Sequence, residues 1–226
     1  MPYGPALDLQ RSVHAGVVEA RQRGDARGPW PLLLVEHAPP VITVSRRAGA
    51  REHLLATPET LERLGVQVAE TDRGGDITWH GPGQVVAYPI VDLQALGLGI
   101  HAYIRALEEA AIRTCARFGV AAHREEGATG VWCGGAGPGA RKICAIGVRV
   151  SRWVAMHGLA LNVRPDLAHF GLIVPCGLHG RAVTSLEREA PAACPDMATA
   201  RAALAEALDA ALAEAAATRP SGPVPS

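Results

Sequence analysis

Apolar positions in the first part of the chain follow two rhythms. Over residues 8–23 they recur at helical spacing, with Val13, Val17 and Val18 on one side and Gly24 as the stop. Residues 31–36 and 41–45 are β-rich runs separated by Ala38-Pro39-Pro40, which predicts two strands and a turn. A short helix follows over 58–64, ending at Gly65, and residues 66–70 read as a strand. Residues 84–91 read as another strand. The clearest amphipathic helix is 101–118, where Ile104, Leu107, Ala111, Cys115 and Phe118 fall at three- and four-residue steps and Gly119 ends the pattern. Residues 140–150 and 153–163 predict an antiparallel hairpin turning near Ser151-Arg152. Asp196 or Thr199 is placed to cap a last helix with Leu204, Leu208 and Leu212 on one stripe.

Strands and helices are mixed without strict βαβ alternation, which predicts an α+β fold: a mixed or antiparallel sheet with flanking helices. The chain has 226 residues and no linker long enough to divide it, so one domain over 1–218 is expected. The tail 219–226, RPSGPVPS, has the composition of a disordered segment. The hydrophobic fraction of 48% suffices for a core, and with only 4% aromatics Leu, Val, Ile and Ala must fill it.

Charge narrows the partners. With 22 basic and 22 acidic residues the chain has no basic excess for nucleic acid. No apolar run approaches the roughly 20 residues of a membrane span, and the N-terminus lacks the pattern of a signal peptide. Five cysteines, an odd number without a C-x-x-C pair, argue against a disulfide framework and fit a reducing cytoplasm. The nine histidines are scattered, so no metal is expected. A monomer without a cofactor is the expectation.

Candidate chemistry centres on residues 73–90, RGGDITWHGPGQVVAYPI. A loop this rich in Gly suits close backbone approach to a ligand. His80 within it is suited either to donate to a substrate carbonyl or to brace the loop. Cys176 stands between Pro175 and Gly177, a local design that presents a side chain at a loop tip; the plain alternative is a small buried hydrophobe. Lys142 opens an apolar run. In regular alternation Lys142, Cys144 and Ile146 share one strand face, with Ile143 and Ala145 on the other. An ammonium beside a thiol favours thiolate, and lowering a thiol pKa by about 1.5 stabilises the thiolate by roughly 2 kcal/mol. The alternative for Lys142 is a snorkelling surface residue. His179 reads as a loop residue, and Gly158 after His157 marks either a bulge or a close approach.

Four motifs in order, RGGDITWHGPGQ at 73–84, KICAIG at 142–147, HGLALN at 157–162 and PCG at 175–177, are similar to those of the octanoyltransferases of lipoate synthesis. The resemblance runs over about 36–186. It implies an α+β fold similar to the biotin/lipoate protein ligase catalytic domain. It implies transfer of an octanoyl group from octanoyl-acyl carrier protein to lysines of lipoyl domains in 2-oxoacid dehydrogenases and the glycine cleavage H protein. Carried over by position, it makes Cys176 the acyl-thioester nucleophile and Lys142 its pKa-lowering partner. The acyl site would be lined by Arg73, Gly74, Gly75, Asp76, Ile77, Thr78, Trp79 and His80, by Ala145, Ile146 and Gly147, and by Gly158, Leu159 and Ala160. Trp79 stands where the family usually has Tyr or Phe, which is expected to narrow that wall. The stretch 133–140, CGGAGPGA, is longer and Gly-richer than is usual before Lys142.

The acyl donor is already activated, so ping-pong transfer needs no ATP. An ATP-dependent lipoate or biotin protein ligase is the alternative within the same superfamily. A non-catalytic acyl-binding protein or a Cys hydrolase are further alternatives from other classes.

Overall fold

The computed structural model describes residues 1–25, 28–174 and 181–218. The tail 219–226 and the residues Cys176 and His179 therefore lie outside the described residues. Among the described residues the sheets are mostly antiparallel and flanked by helices. Helix α1 (Tyr3–Gln22) opens the chain, five residues earlier than its apolar spacing suggests. Pro5 lies in its first turn, where a backbone N–H has no intrahelical partner to lose.

Strands β1 (Leu32–Val35) and β2 (Val41–Ser45) do not pair with each other. β1 is the edge of a large sheet, ordered β1-β5-β9-β8-β7-β6. It comprises β5 (Gln84–Pro89), β6 (Ala122–Glu125), β7 (Ala128–Cys133), β8 (Arg141–Ser151) and β9 (Val154–Asn162). The two-residue strand β10 (Ala182–Val183) adds parallel to β8, pairing Val183 with Lys142. β2 instead lies between β3 (Gln67–Thr71) and β4 (Ile77–His80) in a small sheet. The Gly-rich segment thus contains a strand, β4, that its composition hides.

Helices α3 (Ile100–Arg117) and α5 (Met197–Ala217) cover one face of the large sheet. Their stripes, with Leu107, Ala111, Cys115, Leu204 and Leu208, bury against Val85, Ala87, Leu159 and Leu161. Asp196 caps α5 by accepting from the Thr199 N–H at 2.7 Å. Arg113 binds Glu214 through both guanidinium nitrogens and ties the two helices together. Short helices α2 (Pro58–Arg63) and α4 (Leu186–Glu189) complete the set. The small sheet has its own core, in which Ile42, Ile77 and Trp79 meet Ile173 and Phe170.

The β8–β9 hairpin turns at Arg152 and Trp153, one residue later than expected, both with positive φ. That is the turn whose twist matches paired strands. No helix among the described residues is long and apolar enough to cross a membrane. Among them, too, no group of three His, Cys, Asp or Glu is placed to hold a metal.

Candidate active site

A cavity opens on the face of the large sheet opposite α3 and α5. Alternation along the strands builds its floor. Val85, Ala87, Leu159 and Leu161 point into the helix-covered core, so Val86, Tyr88 and Ala160 point the other way. Ala145, Gly147 and Gly158 extend this floor, while Thr78 and His80 of β4 form a wall and Tyr3 of α1 reaches in. Arg73, Gly75, Ile146 and Leu159 also line the space.

Two glycines let the walls close. A Cβ on Gly158 would sit 2.3 Å from the Ala87 carbonyl oxygen, and one on Gly147 would sit 2.6 Å from that of Gly74. The loop before β4 is pinned by Arg73, whose guanidinium donates to the carbonyls of Thr43, Gly74 and Asp76 and to Thr43 Oγ1. The Gly74 N–H donates to the Val148 carbonyl at 2.8 Å. Asp76 does not line the cavity: it is buried, with Oδ2 2.6 Å from His53 Nδ1.

Trp79 does not narrow the cavity. In β4 it alternates with Thr78 and His80, so Trp79 and Ile77 face the small core instead. There the Trp79 ring packs against His169 and Phe170. His80 is buried and braces its own loop, with Nδ1 2.7 Å from Gln84 Oε1. Burial and the neighbouring His37 lower its pKa to about 3, so the ring is neutral.

Four lining residues stand outside the motif segments or were not singled out as lining: Tyr3, Val86, Tyr88 and His157. Tyr88 donates its hydroxyl to His37 Nε2 at 2.7 Å, because His37 Nδ1 already faces the Met1 carbonyl. His157 has a positive φ of 59° and holds Asp72 at 2.8 Å. Burial pushes the Asp72 carboxyl up, but the His157 hydrogen bond with the charges of His157, Arg149 and Arg11 outweighs it and brings its pKa below the usual value.

Lys142 is not on the face that regular alternation assigns to it. Opposite β7, Val131 pairs with Cys144 and Trp132 with Lys142, so Ile143 is an extra residue. Ile143 and Cys144 are both fully buried in the helix-covered core. Lys142 is thereby turned to the other face, the one that carries the cavity. Its Nζ lies 4.6 Å from the centre of the Trp132 ring and donates to the Thr129 carbonyl at 3.3 Å. The Trp132 ring takes a second cation, Arg181, at 4.8 Å. Arg181 directly follows the segment 175–180 that holds Cys176. The approach 133–140 is tied down where the Gly137 N–H donates to Glu125 Oε1 at 2.8 Å. The described cysteines, Cys115, Cys133, Cys144 and Cys194, are free thiols, and burial raises the pKa of the Cys133 and Cys144 thiols to about 12.

Behind Lys142, Arg141 grips Glu189 of α4 with two bonds of 2.9 and 2.8 Å, and Thr184 Oγ1 adds a third at 2.6 Å. The Arg141 hydrogen bonds hold the Glu189 carboxyl below its ordinary 4.5. A carboxylate with a depressed folded-state pKa contributes stability above its unfolded pKa and loses it as pH falls through the folded value. Glu189→Gln is expected to cost about 2 kcal/mol at pH 7. The gap from wild type should narrow as the pH falls below about 4.5. Urea unfolding at pH 7 and pH 3.5 measures it, and a gap equal at both would refute the charged role.

The family model described as the lipoyl protein ligase A/B catalytic domain matches residues 2–209. Among curated relatives, a Bacteroides fragilis protein named octanoyltransferase is 48% identical over 189 residues, 84% of each chain. One of the same name from Flavobacterium johnsoniae is 54% identical over 158 residues, 70% of this chain and 67% of that one. In fold, the chain is similar to a lipoate-protein ligase A bound with ATP, with TM-score 0.67 at 16% identity over 90% of this chain and 81% of that one. It is also similar to a bipartite lipoate protein ligase of Thermoplasma acidophilum, described with its E2 lipoyl domain, with TM-score 0.66 at 17% identity over 91% and 79% of the chains.

Proposed function

The chain belongs to the lipoyl protein ligase A/B catalytic-domain family, and we infer that it works as an octanoyltransferase of protein lipoylation with Cys176 and Lys142 as its reacting pair. The acyltransferase activity follows from relatives of that name at 48 and 54% identity. The donor, octanoyl-acyl carrier protein, and the covalent intermediate are our reading. So is the acceptor, a lipoyl-domain lysine.

One observation carries this reading: the extra residue in β8 turns Lys142 onto the cavity face. There it is 8% exposed, with its ammonium held against the Trp132 ring and the Thr129 carbonyl. In the first half-reaction Cys176 Sγ bonds to the acyl carbon and the bond to the carrier's sulfur breaks. The thiol proton reaches the departing sulfur by way of Lys142. In the second, the acceptor amine bonds to the acyl carbon, the carbon–sulfur bond of Cys176 breaks, and the amine proton ends on that sulfur. The small floor residues Ala145, Gly147, Gly158 and Ala160 leave room for a straight alkyl chain, worth about 0.8 kcal/mol per buried methylene.

The test is intact-protein mass spectrometry after incubation with octanoyl-acyl carrier protein, without ATP. The expected result is one octanoyl adduct on the wild type, absent from Cys176→Ala and discharged by an apo lipoyl domain. Octanoylation that appears only with ATP and free octanoate would move the chain to the ligases.

A further inference from the structure

The end of the large sheet that carries Lys142 also carries a row of buried amides. Asn162, the last residue of β9, pairs in register with Gln84, the first of β5. Both side chains are buried. Asn162 Nδ2 lies 2.9 Å from the main-chain oxygen of Thr184, and Gln84 Nε2 lies 2.8 Å from Asn162 Oδ1. Gln84 Oε1 lies 2.7 Å from His80 Nδ1. At the far end the Thr184 N–H donates to the Lys142 carbonyl at 2.9 Å.

One end of this row fixes the direction of every bond in it. A peptide carbonyl only accepts, so the Asn162 atom facing Thr184 is the NH2 group and the other terminal atom is oxygen. That oxygen only accepts, so Gln84 turns its own NH2 towards it. The same NH2 lies 3.5 Å from the Trp79 carbonyl, which demands the same orientation. Gln84 Oε1 is then left for His80, and His80 Nδ1 must carry the ring hydrogen. In a neutral imidazole the second nitrogen, Nε2, is then bare. His80 Nε2 has no hydrogen-bond partner among the described residues, and His80 lines the cavity.

We propose that the Thr184–Asn162–Gln84 relay locks His80 as the Nδ1–H tautomer, so that Nε2 enters the reaction as a hydrogen-bond acceptor for an N–H of the incoming lysine amine. The amine assignment rests on the octanoyltransferase reading; the tautomer does not. His80 is no donor to the acyl carbonyl, because the nitrogen left to face substrate has no hydrogen. The amine does have hydrogens. Giving one to a fixed acceptor aims its lone pair at the acyl carbon, which converts a free encounter into an oriented one. The ring holds a hydrogen bond and not the proton: the amine proton still ends on the Cys176 sulfur as the carbon–nitrogen bond forms and the carbon–sulfur bond breaks. Gln84 and Asn162 are positioning residues in this scheme. They act through His80, and Thr184 ties them to the strand that holds Lys142.

The tautomer is read by long-range 1H–15N correlation of the histidine rings in the full chain at pH 7, with the His80 signal assigned by its loss in His80→Gln. The expected wild-type ring has a pyrrole-type Nδ1 and a pyridine-type Nε2, and Gln84→Leu is expected to give a tautomer mixture. A wild-type ring that is an imidazolium, or carries its hydrogen on Nε2, overturns the proposal whatever the variants do. Rapid-quench mass spectrometry then times charging by octanoyl-acyl carrier protein separately from discharge to an apo lipoyl domain. Gln84→Leu is expected to slow discharge by at least about tenfold while charging falls far less. Gln84→Glu, whose carboxylate cannot donate to Asn162 Oδ1 and favours a doubly protonated ring, should slow discharge as well. Equal slowing of both steps by Gln84→Leu, or a wild-type discharge rate in Gln84→Glu, refutes the amine assignment. A wild type that never charges overturns that assignment together with the functional reading, and the ring spectrum still decides the tautomer.

Discussion

Octanoyl transfer by a Lys142→Met enzyme is expected to fall by about 10²- to 10⁴-fold with the fold intact. Methionine has similar length, keeps contact with the Trp132 ring through its thioether and brings no charge to desolvate. What is lost is the ammonium. Without it a cysteine thiol keeps its ordinary pKa of about 8.5, and only a few per cent is thiolate at pH 7. The proton released in each half-reaction also loses its carrier. Raising the pH to about 9 should therefore restore part of the charging step, where solvent titrates the thiol, and much less of the discharge. Quantifying octanoylated lipoyl domain by mass spectrometry at both pH values provides the check. A rate within about threefold of wild type at pH 7 would remove Lys142 from the mechanism.

Gly158→Ala is expected to destabilise the protein by about 3 kcal/mol, a large share of the stability of any domain this size. The added methyl would meet the Ala87 carbonyl oxygen at 2.3 Å and Pro89 Cδ at 2.7 Å. Both belong to β5, which is paired on both sides, to β1 and to β9. No flexible side-chain end is available to move aside, so relief requires parting β5 from β9 and giving up hydrogen bonds at the cavity floor. Urea titration of the two proteins is sufficient, and a loss below about 1 kcal/mol would show that the strands tolerate the separation.

Where a segment obeys one periodicity, sequence and structure agree closely. The helices with Leu107 or Leu204 at their centres are long, periodic and stopped by Gly or capped by Asp, and their limits shift by at most a few residues. β4 was hidden because its four residues, Ile77 to His80, lie between two glycine clusters that dominate the local composition. β1 and β2 read as two strands and a turn, yet each has its partners elsewhere, and local composition does not report such pairing.

The cavity was legible in its motifs but not in its directions. Thr78 and His80 reach it while Ile77 and Trp79 do not, because a strand sends neighbours to opposite sides. Tyr3 could not be found from the motifs. It is brought to the site by a helix some seventy residues upstream of the Gly-rich loop, where its hydroxyl bonds Thr71 Oγ1 at 2.8 Å and its ring packs against His37. Buried relays such as Gln84–Asn162 leave no local signature either, since each residue alone is an ordinary polar strand end.

The extra residue at Ile143 gives β8 a change of parity. Every position from Cys144 onward counts odd and even in one sense, and Lys142 counts in the other. Length therefore carries more information at this point than residue identity does. Valine or leucine in place of Ile143 would alter packing by a methyl or two, whereas loss of the residue would exchange inside for outside and send an ammonium into a hydrocarbon core. Packing in the core decides which side chain suits position 143, whereas the presence of a residue there decides the register. A one-residue deletion at 143 would be an all-or-none event for the chemistry.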